Sequence, residues 1–151
     1  MRPAILGVLL AACASAPAGE VAVTREVIPI PGHPGVGPYS HAIRAAGMLY
    51  VSGQPGLDPA TGRLAGPGFE AQARQALANL VHVLRTAGSG PEHVVRTTVF
   101  LTDTANFALL NQLYAEVFPT APPTRSTPTV QLPRGILISI DAIAVAPVHR
   151  R

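Results

Sequence analysis

The chain of 151 residues contains no lysine: all 11 of its basic residues are arginine. Without a side-chain amine it cannot form a Schiff base with a substrate carbonyl or with pyridoxal phosphate. Cysteine is almost as scarce. The single Cys13 excludes a disulfide framework and a cysteine-rich metal centre, and it leaves residues 20–151 without a thiol nucleophile. Charge is also sparse, at 13% of residues against 48% hydrophobic, a balance that suits one compact domain and not a disordered chain. The net charge is +3, but the arginines are spaced singly and no cluster follows a phosphate backbone, so no nucleic-acid partner is expected. His33, His41, His82, His93 and His149 show no metal-ligand spacing, and no metal site is expected.

The first 19 residues read as a targeting leader and short linker ahead of a domain at 20–151. Arg2 is a minimal positive start, Ala4 to Ala12 is apolar, and small residues follow. The apolar run is shorter than the roughly 20 residues that a membrane-spanning helix needs. Leu10-Ala11-Ala12-Cys13 resembles the lipobox of bacterial lipoproteins, whereas Ala14-Ser15-Ala16 offers ordinary signal-peptidase cleavage. The expectation is an exported protein, periplasmic or membrane-anchored, touching the membrane only through a lipid on Cys13. A mis-assigned start codon is the alternative and would leave a cytoplasmic domain.

Beyond the leader the pattern is β-β-β-α-β-α-β-β. Strands are expected near Thr24 to Ile30, His41 to Ala45 and Met48 to Ser52, the last two joined by an Ala46-Gly47 hairpin signal. Phe69, Ala73, Ala76, Leu77, Leu80, Val83, Leu84 and Ala87 recur at helical spacing, and Gly88 supplies the stop. Val94 to Thr102 reads as a strand, with Asp103 or Thr104 capping a helix that runs to about Phe118. The final stretch, Pro122 to Val145, reads as two strands joined by a Pro133-Arg134-Gly135 turn. Two helices cover one face of such a sheet. The last strand is apolar on both faces, as is Val94 to Thr102, with Val95 aligned beside Thr97, Val99 and Leu101. An uncovered apolar face implies a partner, most economically another copy of the chain.

Arg125 and Asp141 stand out in that final stretch. A guanidinium follows two prolines, and a carboxylate interrupts an otherwise apolar strand, where an ionised group needs a partner or a water-filled cavity. The bland readings are an interface ion pair for Arg125 and neutralisation of Arg125 or Arg134 by Asp141.

Several motifs then come in order: Gly37-Pro38-Tyr39-Ser40-His41-Ala42, Val51-Ser52-Gly53-Gln54, Gln72 to Leu80 and Thr97 to Asp103. Asn111 with Tyr114, Pro123-Thr124-Arg125-Ser126, Leu132-Pro133-Arg134-Gly135 and Asp141-Ala142-Ile143-Ala144 follow. Together they resemble the RidA/YjgF family of reactive-intermediate (enamine/imine) deaminases, over residues 24–146. The resemblance implies a chorismate-mutase-like α+β fold, with a mixed sheet carrying two helices on one face, assembled as a homotrimer with sites between subunits. It implies hydrolysis of 2-imino acids to 2-keto acids and ammonia without metal or organic cofactor; the alternative is a non-catalytic trimer that binds a small carboxylate resembling a 2-keto acid.

Carried onto this chain, the resemblance makes Arg125 the clamp for a substrate carboxylate, a task that suits its planar fork. Asp141 stands where the family has a glutamate that positions water, one methylene shorter. Tyr39 closes the cleft, Ser52 and Gly53 complete a polar wall, Asn111 lies nearby, and Thr127 occupies a position where many members carry cysteine. The segment from Arg125 to Leu132 is one residue shorter than the family pattern and contains Pro128, so the strand there must bulge or lie at an edge.

Overall fold

The structure is a computed structural model that describes residues 24–33 and 37–146. The leader at 1–19, with Cys13, lies outside the described residues. No helix among the described residues is long and apolar enough to cross a membrane.

Six strands form one mixed sheet in the order β1-β2-β3-β6-β4-β5. They are β1 (Arg25–Ile28), β2 (Ala42–Ala45), β3 (Met48–Pro55), β4 (Val94–Leu101), β5 (Thr124–Ser126) and β6 (Ile138–Val145). The two helices are α1 (Phe69–Thr86) and α2 (Phe107–Val117). Ala46 and Gly47, at φ 49° and 74°, make the tight β2–β3 hairpin that pairs Ala45 with Met48. A left-handed Gly88 ends α1: the Gly88 and Ser89 amides donate to the Arg85 and Leu84 carbonyls. Asp103 accepts from the Ala105 amide and caps a short 3-10 turn, Thr104–Asn106, that leads into α2.

Both helices pack on one face of the sheet, against Leu49, Val51, Val99, Leu101, Ile138, Ile140, Ala142 and Ala144, all buried. The other face is open. Val27, Ile43, Tyr50 and Ile143 are register neighbours across four strands and make an apolar row on it. Val27 and Tyr50 remain 49% and 45% exposed, far more than a lone domain needs to show.

Two expectations change. The Pro133–Gly135 turn forms, with Ile136 N donating to Pro133 O, but it does not make a hairpin of the flanking strands. β4 lies between β5 and β6, and β5 pairs with β4 in parallel because α2 supplies the crossover. A bulge between Val94 and Arg96 also turns Val95 out to 48% exposure, away from Thr97, Val99 and Leu101. Pro128 behaves as its chemistry requires: β5 has already ended at the sheet edge, and the Pro128 carbonyl accepts from Leu101 N.

Candidate functional site

The edge strand β5 is held in place by β4 and by the Thr124 hydroxyl, which donates to Val95 O. Its register sets Arg125 opposite Thr97, on the side of the sheet that carries the helices. There the guanidinium lies 4.7 Å from the Tyr114 ring centre and 5.5 Å from that of Phe107. Its Nη2 donates to Asn111 Oδ1 at 2.6 Å. Phe107, Asn111 and Tyr114 fall on one stripe of α2, so a single helix face orients the cation. No carboxylate among the described residues pairs with Arg125, which leaves most of its donor fork available. Tyr114 is buried, and its hydroxyl shares a 2.7 Å hydrogen bond with Thr97 Oγ1. Burial pushes its phenol above the ordinary range, only partly opposed by the Thr97 bond and the Arg125 charge, so the ring stays neutral.

A second group gathers at the end of β3. The strand bulges between Val51 and Gln54, which presents Ser52 and Gly53 irregularly. The Ser52 hydroxyl donates to Ser40 O at 2.6 Å and its amide donates to His41 O, tying the Tyr39 segment to β3. Tyr39, Gly53, His33 and His41 border a cavity of about 50 Å³ closed by Asn79 and Leu57. Asn79 is buried and donates to the Pro55 and Leu57 carbonyls, so it is a structural brace there. A Cβ on Gly53 would stand 2.7 Å from Ser139 Oγ, which places the Ser139 hydroxyl directly against this wall.

Asp141 follows Ser139 along the half-buried side of β6. Its Oδ1 accepts from the Thr98 amide at 2.9 Å, and no donor among the described residues reaches Oδ2. It pairs with neither Arg125 nor Arg134 among the described residues. Thr127 is half-buried just beyond β5, and its side chain makes no hydrogen bond within the described residues.

The expected site residues therefore fall into two groups. Arg125 and Asn111 are brought together, with Thr127 close in sequence. Tyr39, Ser52 and Gly53 are brought together elsewhere, with Asp141 in the strand between. β5 and β3 are separated by β4 and β6, which at ~4.8 Å per strand step is roughly 14 Å, and Arg125 faces the helices. The two groups cannot close on one small substrate within a single protomer. Sequence reading missed Ser139, Phe107 and the role of Tyr114. The helical spacing of Phe107, Asn111 and Tyr114 was the available signal for the last two; a serine within a strand carries none.

These features define a small α+β protein with an oriented guanidinium, free of carboxylates among the described residues, and an apolar open sheet face. The comparisons narrow that class. The chain belongs to the Endoribonuclease L-PSP family, that of RidA and YjgF, whose model matches residues 32–146. It is 42% identical over 125 residues to the mouse 2-iminobutanoate/2-iminopropanoate deaminase, covering 82% of this chain and 93% of that protein. Among solved structures it is similar to the YjgF gene product of E. coli, with a TM-score of 0.75 and 35% identity, covering 81% of this chain and 99% of that one. It is also similar to E. coli TdcF with bound serine, with a TM-score of 0.74 and 34% identity, covering 80% and 98%. Several relatives at about 40% identity are named 2-iminobutanoate/2-iminopropanoate deaminase, an enzyme, and reactive-intermediate deamination is the family-level activity.

Proposed function

We propose that this protein hydrolyses 2-imino acids to 2-keto acids and ammonia at clefts between the subunits of a homotrimer. The observation that carries this reading is Arg125, a guanidinium oriented by Asn111 and Tyr114 and without a carboxylate partner among the described residues. The mouse relative's name and the serine held by TdcF, an amino acid with the same carboxylate, support it.

Arg125 of one copy holds the substrate carboxylate in a bidentate grip. The Tyr39–Ser52–Gly53 wall of a neighbouring copy closes over the imine, with Asn111 and Thr127 bordering the clamp. Water adds to the imine carbon and its proton moves to nitrogen. The resulting carbinolamine expels ammonia and leaves the ketone. Asp141, through Oδ2, positions that water and relays the proton. This chemistry draws on no metal or organic cofactor.

A second reading is a trimer that binds a small carboxylate without turnover. It is favoured by the Asp141 carboxylate being already committed through Oδ1 to the Thr98 amide. The test is ammonia and keto-acid release by residues 20–151 from imines generated in situ by an amino-acid oxidase. Release above the uncatalysed rate that vanishes in Arg125→Ala is expected. No release, with saturable 2-keto acid binding by calorimetry, selects the binding trimer. Turnover and carboxylate affinity both surviving Arg125→Ala would sink the two readings together.

Export is proposed from the leader sequence alone, with a lipid on Cys13 as its anchored form. Cell fractionation, and the mass of the mature N-terminus, decide between exported, anchored and cytoplasmic protein.

A further inference from the structure

Three imidazoles converge beside the Tyr39 wall. His33 stacks on His82 of α1, with ring centroids 4.9 Å apart and planes inclined by 10°. The edge of His33 meets His41 at 5.6 Å, and His41 in turn meets Tyr39 at 5.9 Å. Among the described residues no donor or acceptor reaches either ring nitrogen of His33 or of His41, and all four atoms are buried. Among the described residues the two rings are held by packing alone, and no acceptor lies ready for a proton on His33. We propose that His33, packed between His82 and His41, is a proton-sensitive brace for Tyr39: neutral, it fixes the tyrosine through His41 against the Gly53 wall, and protonated, it releases it.

The other groups facing the cluster do not change this sign. From α1, Gln75, Ala78 and Asn79 border His33 and His82 and are uncharged. Arg85 lies one turn beyond His82 and shares a groove with it, together with Arg74 of α1 and Glu116 of α2. Arg74 and Glu116 are paired with one another at 2.9 Å, and Arg85, a cation, offers no counter-charge to a protonated imidazole. From the 57–60 turn, Pro59 and Ala60 border His33, and Asp58 directs Oδ1 to the Ala60 amide. From β3 come Gly53, Gln54 and Pro55, without charge. Burial, then His82, then His41, hold the His33 imidazole below its usual value.

His33 and His41 line the same cavity as Tyr39 and Gly53, so a proton on His33 acts at the cleft wall. A charge on His33 is packed against His82 at 4.9 Å and His41 at 5.6 Å with no counter-ion among the described residues, and a partly dry site cannot hold it there. The His33–His41 edge is lost, and with it the contact that sets the Tyr39 ring.

The test is a pH titration of the intact protein by NMR, following the histidine and tyrosine ring signals. The expected result is that the Tyr39 ring signals move with the same midpoint as His33, below the usual histidine value. His33→Phe keeps an aromatic ring but cannot titrate, and it should flatten the Tyr39 response. His82→Gln should raise the midpoint, because a like charge and a stacked ring are both removed. Tyr39 signals that ignore the His33 midpoint, or that respond equally in His33→Phe, overturn the proposal. The link from Tyr39 to turnover rests on the deaminase reading: there, KM should rise severalfold through the same midpoint while kcat changes less. A Tyr39 response without any imine hydrolysis keeps the brace and discards the deaminase, so the two failures are distinguishable.

Discussion

Arg125 lies over the face of Tyr114, and the hydroxyl of that same ring is fastened to Thr97 on the neighbouring strand. The aromatic ring therefore joins the cation to the core. Tyr114→Phe keeps the face and loses the Thr97 bond, at a stability cost of about 1 kcal/mol with the Thr97 hydroxyl left unpaired. Tyr114→Leu removes the platform as well and should weaken 2-keto acid binding about tenfold, as one lost cation–π contact of ~1–2 kcal/mol would give. Calorimetry separates the two variants; equal affinities would show that Asn111 alone orients the guanidinium.

Gly53 and Ser139 give a paired test. Alanine at 53 brings a Cβ to 2.7 Å from Ser139 Oγ, so the hydroxyl must rotate away or the wall must move. Gly53→Ala should lower imine turnover by at least tenfold. Gly53→Ala combined with Ser139→Ala removes the clash, because the Ser139 Cβ is 3.9 Å from the added methyl, and thermal stability should return to that of Ser139→Ala alone. Strictly additive effects would mean that the two residues do not touch.

Gln72 is buried, donates to the carbonyls of Gly66 and Gly135 and accepts from the Leu137 amide. It fastens the 133–136 turn, and hence the start of β6, to α1. Gln72→Leu should cost ~2–4 kcal/mol, since three backbone groups lose their partner at once. Chemical denaturation measures it; a loss under 1 kcal/mol would show that the turn finds other partners.

Stability should also depend on pH through His33. Its folded-state value is depressed, so the unfolded chain binds more protons just below the ordinary histidine range. The His33 contribution is complete above about pH 6.5, is lost as pH falls from there through the lower folded value, and is constant below it. His33→Phe should remove this slope in urea midpoints measured across the window.

Sequence patterning reached the two helices, the Ala46-Gly47 hairpin and the α+β class for one reason: each depends on nearby residues. What it could not reach depends on partners. Arg125 and Asp141 stand on neighbouring strands in sequence, but β4 inserts between them, and no local pattern announces that α2 will carry β5 to its far side. The Val94–Arg96 bulge is equally silent, because alternation on paper continues where the backbone slips by one residue. Nothing local marks Ser139 either: its contact with Gly53 arises only when β6 pairs with β3. Arg125 and Asn111, which the motifs name together, lie within hydrogen-bond distance. For Tyr39, Ser52 and Gly53 to meet that arginine, a second chain must bring them.

The open face gives the direct check on that second chain. Tyr50→Arg introduces three like charges at the centre of the apolar row in a trimer, with no effect on the helix-covered core. Sedimentation should show monomers, and imine turnover should fall with the trimer fraction.

The sheet's two borders differ from its face. β1 has four residues and β5 three, and β5 runs at once into Pro128, whose nitrogen has no hydrogen to offer. A border so brief gives an extended foreign peptide little ladder to copy. The apolar face is thus a better place for a second copy to settle than either border, and growth strand upon strand is disfavoured.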